Sequence, residues 1–469
     1  MRDPSSESAA LPAYARLADK YGLRGWELLP YALIDFDKGS STFLDRPDFE
    51  ALAACNGLSD LARQGLSKKQ QQVIASGIAK GLIEPLEQPR AIAEAQRYRK
   101  AHCRYIQAAE WSITGYCNLK CKHCYISAPQ GVHGELPFEK MQEIIDQLSA
   151  ANVGEVMLSG GEPLVRKDFW QIVDALREKR IAVTTIGTNA LLVTDQFLAQ
   201  CEKRGIIWDF NISFDGVGFH DWLRGVDGVE AKTIEAIRRI QRAGHRVSIN
   251  TALHRESLVS LMPTYRLLRS LGVDGWKTSA IANTGNWTEV DDKRTLQDAV
   301  LFEKYLEVIK QYRNDGMPFL IQLGGYYLNP PHSEQWISPH ACHDGSDAVL
   351  QKPLCAGCRT AIYLSPEGKF LPCMALSGTF VEENAQSILE LPLVEQLGNS
   401  KAFDLMNMRL SELHRHNAEC AACEHRLECG TCRALALTED GTYLGVDRAA
   451  CAFWQLNAKE RIGALLAKT

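Results

Sequence analysis

The sequence has no run of the roughly 18 apolar residues that a membrane-spanning helix needs. It also lacks a dominant sign of charge. With 52 Lys and Arg against 57 Asp and Glu, the net charge of −5 gives no electrostatic footprint for nucleic acid or an anionic membrane. Nor does the opening stretch from Met1 to Ser8 contain the apolar core of an export signal. Apolar residues make up 45% and charged residues 23%, which excludes disorder for the bulk of the chain. These absences predict a cytoplasmic protein with neither a nucleic-acid nor a membrane partner. Its 469 residues exceed one ordinary domain.

Cysteine, in contrast, is plentiful, at 15 residues. An odd count without an export signal argues against a disulfide scaffold, because the cytosol keeps thiols reduced. Cys55, Cys103 and Cys201 stand alone and read as small buried apolar residues. The remaining 12 fall into tight groups, as metal ligands do.

Three parts follow from the patterning. In residues 1–105, the runs Tyr31–Phe36 and Thr42–Leu44 flank Asp37-Lys38-Gly39, the signature of a β-hairpin. Ser67 to Gln70 forms a capping box opening a helix with Ile74, Ile78 and Leu82 on one face, which Ile83-Glu84-Pro85 ends. Together these predict a small winged-helix-like α+β module, followed by a linker helix from Gln96 to Arg104. Residues 106–335 alternate strand and helix. Strands are expected at 109–114, 155–158, 182–188, 209–214, 246–253 and 275–280, and helices at 138–150, 168–178, 195–203, 231–242 and 258–271. This is the pattern of an α/β fold with a parallel sheet, and six units predict a partial (β/α)6 TIM-like barrel. Residues 336–469, rich in Cys, Gly and Pro, read as a domain held by metal more than by an apolar core.

At the end of the first barrel strand stands Cys117-x₃-Cys121-x₂-Cys124, followed by Tyr125. Three thiolates from one loop can ligate a [4Fe–4S] cluster and leave one iron open, although zinc remains an alternative. Such loops lie where barrels place active sites. The segment resembles the radical S-adenosylmethionine (radical SAM) superfamily, and the likeness continues in order. Gly160-Gly161-Glu162-Pro163 ends the second strand, and Thr188-Asn189-Ala190 stands where many relatives have T-N-G. Ser213-Phe214-Asp215-Gly216 and His220-Asp221-Trp222-Leu223-Arg224-Gly225 resemble the stretch that holds the cofactor's ribose and carboxylate. The resemblance implies that Tyr125, Gly160, Gly161, Glu162, Pro163, Thr188, Asn189, Ser213 and Arg224 contact S-adenosylmethionine, with Glu162 accepting from its ammonium and Arg224 pairing with its carboxylate. Read without it, Ser213 and Arg224 are an ordinary loop cap and a surface ion pair.

The last part resembles the SPASM extension, which carries two auxiliary [4Fe–4S] clusters. The likeness assigns Cys420, Cys423, Cys429 and Cys451 to an outer cluster. Cys373 and Cys432 go to an inner one, with Cys355 and Cys358 as companions; Cys342 is a fifth candidate for four seats. The spacing of Cys420 to Cys432 also suits a zinc ribbon. Over residues 106–455 the family implies an oxidoreductase that forms a 5′-deoxyadenosyl radical, using a flavodoxin or ferredoxin as electron donor. The N-terminal module resembles the leader-recognition element of SPASM maturases of ribosomally synthesised peptides, or else it is a structural cap. The expected activity is hydrogen abstraction from a precursor peptide with a leader, closing a thioether or carbon–carbon crosslink. Alternatives are a sulfatase-maturase-like or haem-pathway enzyme and a metal-stabilised peptide-binding scaffold. Met374, where sulfatase maturases place an Asp, counts against the first of these. No catalytic base is assigned.

Overall fold

The computed structural model describes residues 11–467 apart from 129–130, 283, 291–295, 356, 358 and 400–406. The chain begins with β1 (Tyr14–Leu17), β2 (Tyr21–Gly25), β3 (Ala32–Asp35) and β4 (Ser41–Phe43). Next come α1 (Arg46–Ala54), α2 (Lys68–Ala79), β5 (Ile83–Leu86) and β6 (Arg99–Lys100). The expected hairpin is β3–β4, with Gly39 at φ +67° in its turn. The capping box at Ser67 and Gln70 is formed. Two expectations are corrected. Ile83–Leu86 is a strand, paired antiparallel with β1, and more than a helix stop. No helix forms at 96–104. Instead Gln96 is buried, and its Nε2 donates to the carbonyls of Leu17, Ala18 and Tyr21. That anchor lays the following residues along β2 as β6, in parallel, and tertiary bonds override local helix preference.

The barrel strands are β7 (Ala108–Ser112), β8 (Glu155–Ser159), β9 (Ala182–Thr188), β10 (Asp209–Ser213), β11 (Arg246–Leu253), β12 (Gly275–Ala280) and β13 (Leu320–Leu323). They lie side by side in that order, all parallel. The connecting helices are α3 (Phe138–Ala150), α4 (Phe169–Glu178), α5 (Asp195–Lys203), α6 (His220–Arg224), α7 (Val229–Arg242), α8 (Leu261–Leu271) and α9 (Asp298–Asn314). The sequence expectation stops at β12. The structure adds α9 and β13, and α9 buries Leu301, Phe302, Tyr305, Val308, Ile309 and Tyr312 along one face. A last antiparallel strand, β14 (Tyr327–Asn329), closes this edge.

At the other edge the sheet crosses the boundary expected near residue 335. β15 (Ala361–Leu364) pairs in parallel with β7, and β16 (Phe370–Leu371) turns back along β15 with Gly368 at φ +75°. The ten-stranded sheet is therefore shared by both parts. Ile388, Leu393, Leu397, Phe453 and Ile462 join the barrel's apolar core, so apolar packing shared with the barrel holds the C-terminal part. The N-terminal module docks through Trp26, whose Nε1 donates to Ala151 O at 2.9 Å, and through Asn152, which bonds the carbonyls of Gly25 and Arg99. These contacts fall on the α3–β8 connection, at the end of the barrel opposite the strand C-termini.

Candidate active site

A cavity of about 410 Å³ opens at the C-terminal ends of β7 to β12. Of the residues singled out in the sequence, Cys117, Cys121, Cys124, Tyr125, Gly160, Gly161, Thr188, Asn189, Ser213 and Arg224 line it. Glu162 and Pro163 are not part of its lining. Each thiol of the cysteine loop receives at least one N–H. Leu119 N reaches Cys117 Sγ at 3.4 Å, Ala128 N reaches Cys124 Sγ at 3.3 Å, and Arg224 Nη1 reaches Cys121 Sγ at 3.5 Å. Burial pushes the Cys117 thiol up to about 12 and raises Cys121 too, so ligation must displace their protons. Sulfur donors with N–H groups aimed at them suit an iron–sulfur cluster.

The fork of Arg224 is closed on the protein's own Asp215, with Nε 2.6 Å from Oδ2 and Nη2 3.0 Å from Oδ1. The third nitrogen, Nη1, faces Cys121. Burial disfavours the ionised Asp215, yet Arg224 and His220 beside it hold its carboxyl well below the usual range. Asp215 in turn raises Arg224 against the burial that would lower it. The pair thereby ties the end of β10 to the cysteine loop.

The two glycines are explained by backbone approach. Gly161 N donates to Thr114 O and Glu162 N to Tyr116 O, both at 2.9 Å. A Cβ at Gly161 would stand 2.2 Å from Tyr116 O, and one at Gly160, with φ +143°, 2.5 Å from Thr114 O. Glu162 is fully buried and acts as a strut. Its carboxylate accepts from Thr188 Oγ1 at 2.8 and 3.0 Å, from Asn189 N at 2.8 Å and from Leu164 N at 3.2 Å. Burial raises it to about 7, against these bonds, which lower it. Asn189 Nδ2 then donates to Asn118 Oδ1 in the cysteine loop at 2.7 Å. Ala190 adopts φ +65°, so the left-handed turn survives without glycine.

The cavity is also lined by Met374 and by residues that the motifs did not single out: His123, Glu110, Asn211, Asn250 and Lys277. Glu110, Asn211, Asn250 and Lys277 carried a readable signal, a polar or charged residue inside a barrel strand. Burial raises Glu110, and the charge of Lys277 acts against it. His123 has an unpartnered buried Nδ1, and burial lowers it to about 4. Tyr125 is hydrogen-bonded to Tyr363 of β15, whose hydroxyl lies 2.8 Å from Ser112 Oγ. Burial pushes the Tyr125 hydroxyl well above its ordinary value.

The remaining cysteines separate into two sets by which thiols act on one another. Cys355, Cys373 and Cys432 form one. Cys420, Cys423, Cys429 and Cys451 form the other and line a second cavity of about 430 Å³. Cys358 lies outside the described residues. Cys342 is exposed and packs its sulfur against Gly430. Among the described residues no three His, Cys, Asp or Glu side chains gather closely enough to hold a single metal ion.

Residues 111–268 match the family model of the Radical SAM superfamily. They form a radical SAM domain. The chain is similar to the AdoMet-dependent heme synthase of Methanosarcina barkeri, 26% identical over 341 residues that span 71% of this chain and 93% of that protein. It is also similar to the PqqA peptide cyclase of Granulibacter bethesdensis, 27% identical over 340 residues, 70% of this chain and 83% of that one. In fold it is similar to Streptococcus suis SuiB bound to precursor peptide SuiA, with a TM-score of 0.63 and 16% identity over 93% of this chain and 99% of that chain. The protein is an enzyme of the radical SAM superfamily, which works with S-adenosylmethionine and a [4Fe–4S] cluster. No helix among the described residues is long and apolar enough to cross a membrane.

Proposed function

We propose that this radical SAM enzyme modifies a ribosomally made precursor peptide, closing an oxidative thioether or carbon–carbon crosslink with the help of two auxiliary iron–sulfur clusters. The observation that carries the reading is the union in one fold of a cysteine-lined barrel cavity, two further cysteine sets and an exposed edge strand. Cys117, Cys121 and Cys124 would hold the first cluster, Cys355, Cys373 and Cys432 the inner auxiliary one, and Cys420, Cys423, Cys429 and Cys451 the outer one. With its cluster bound, S-adenosylmethionine supplies a 5′-deoxyadenosyl radical able to take a hydrogen atom from a substrate. The chain's own residues position and enclose that chemistry. Gly160 and Gly161 let the backbone close onto Thr114 and Tyr116 at the cavity wall, Glu162 holds the ends of β8 and β9 in register, and Arg224 directs an N–H at Cys121. Glu110 and Lys277 make the cavity floor polar, where a substrate residue would enter.

The N-terminal module supports a peptide substrate. β4 is the edge of its sheet, and Phe43 is 47% exposed with its ring 5.0 Å from that of Tyr105. A leader peptide can add there as a further strand, its apolar side chains on this aromatic patch. The fold likeness to SuiB bound to precursor peptide SuiA extends over 93% of this chain. This extent favours the peptide reading.

Anaerobically reconstituted protein is expected to hold about 12 irons. Given dithionite and S-adenosylmethionine it should release 5′-deoxyadenosine. A short peptide encoded beside the gene should then lose a pair of hydrogens by mass. Changing Cys117, Cys121 and Cys124 together to Ala should end cofactor cleavage and leave auxiliary iron in place. Cleavage with unaltered peptide mass would refute the peptide reading.

A further inference from the structure

Arg433 follows Cys432 at the start of the helix Arg433–Asp440, and only 1% of it is exposed. Its Nη1 donates to the carbonyls of Tyr443 at 3.0 Å and Gly445 at 3.1 Å. Nε and Nη2 are buried without any partner. A guanidinium carries donors only and keeps its charge in proteins, so burying it uncompensated is costly. Asp447 is the carboxylate that acts on it, but its oxygens are spent on backbone. They accept from Cys432 N at 2.6 Å and Ala450 N at 3.1 Å. The other groups whose charge acts on Arg433 are the thiols of Cys420, Cys432 and Cys429. These belong to both auxiliary cysteine sets, so one guanidinium addresses the two at once.

We propose that Arg433 is the buried counter-charge of the auxiliary clusters, and that it sets how readily those clusters accept an electron. The inference rests on reading the two cysteine sets as iron–sulfur sites. A thiolate-ligated cluster is net anionic and becomes more so on reduction. A fixed cation beside it favours the reduced form and raises the potential. Arg433 is a positioning residue in this scheme, acting on the electron sink and never on the substrate.

The test compares full-length Arg433→Gln and Arg433→Lys, reconstituted anaerobically, with iron counted and potentials titrated by electron paramagnetic resonance. Gln keeps a donor for the Tyr443 and Gly445 carbonyls but drops the charge, while Lys keeps the charge. The expected result is a shift of an auxiliary potential to more negative values in Arg433→Gln, with Arg433→Lys close to wild type. The cluster that responds to added S-adenosylmethionine should not move in either variant. Auxiliary potentials unchanged in fully loaded Arg433→Gln would overturn the proposal and leave Arg433 a loop clamp. If Arg433→Gln takes up no auxiliary iron, Arg433→Lys decides. Full iron at a wild-type potential supports the counter-charge, and an equal loss of iron overturns it. Wild-type protein with the iron of one cluster only would overturn the cluster reading itself, a result distinct from an unmoved potential.

Discussion

Glu162 concentrates in one side chain the tension between a buried charge and the bonds that hold it. Its ordinary value of 4.5 is raised by burial to about 7 in the folded chain. Between those two values the native protein binds a proton that the unfolded chain has released, so stability falls as pH rises through this window. The contribution is fully favourable below about pH 4.5 and levels off above about 7. Asp215 works in the opposite sense, because its depressed value adds stability that is lost only in acid. Comparing wild type with Glu162→Gln isolates the first effect. Urea unfolding from pH 5 to 8 should show the variant gaining relative to wild type by up to about 3 kcal/mol as pH rises. Parallel curves would show that the Glu162 carboxyl is not the group that titrates.

Among the elements, β4 makes the sharpest prediction, because its two faces of backbone have different duties. Asp35 N donates to Ser40 O and Leu44 N to Tyr31 O, so Ser40, Thr42 and Leu44 bond inward to β3. By the alternation of an antiparallel ladder, Ser41 and Phe43 point their N–H and C=O groups outward. Ser41→Pro therefore deletes an outward donor and keeps the hairpin, whereas Thr42→Pro breaks the hairpin itself. Binding of a fluorescent leader peptide should weaken up to about tenfold in Ser41→Pro, the worth of one hydrogen bond, with an unchanged melting curve. Undiminished affinity would make the module a structural cap docked on the α3–β8 connection.

For the whole molecule, the shared sheet is the governing fact. β15 covers the edge of β7 over four residue pairs from Ala361↔Ala108 to Leu364↔Trp111, and C-terminal side chains fill part of the barrel core. A fragment ending at residue 335 would expose that edge and those apolar contacts, so it should aggregate. Size-exclusion chromatography of residues 1–335 against the full chain checks this, and a monodisperse fragment would show that the barrel stands alone. The same seam carries Tyr125 to Tyr363 and Ser112, which couples the cavity mouth to the cysteine-rich part.

The cysteine spacings, the Gly-Gly-Glu-Pro segment and the strand–helix alternation were legible in the sequence because each depends on neighbours close along the chain. Periodicity placed β9, β11 and β12 and the helices α3 and α5 at the bounds the structure shows. β6, β15 and the pairing of β5 with β1 were not legible. Each is two to four residues long, and its conformation comes from a partner far away in sequence. The same holds for the site. Local motif singled out the cysteines as candidate ligands, while the closure of Arg224 on Asp215, the strut role of Glu162 and the bare donors of Arg433 were decided only in three dimensions. The physical reason is that a buried charge takes its meaning from the groups around it, and those groups are assembled by folding.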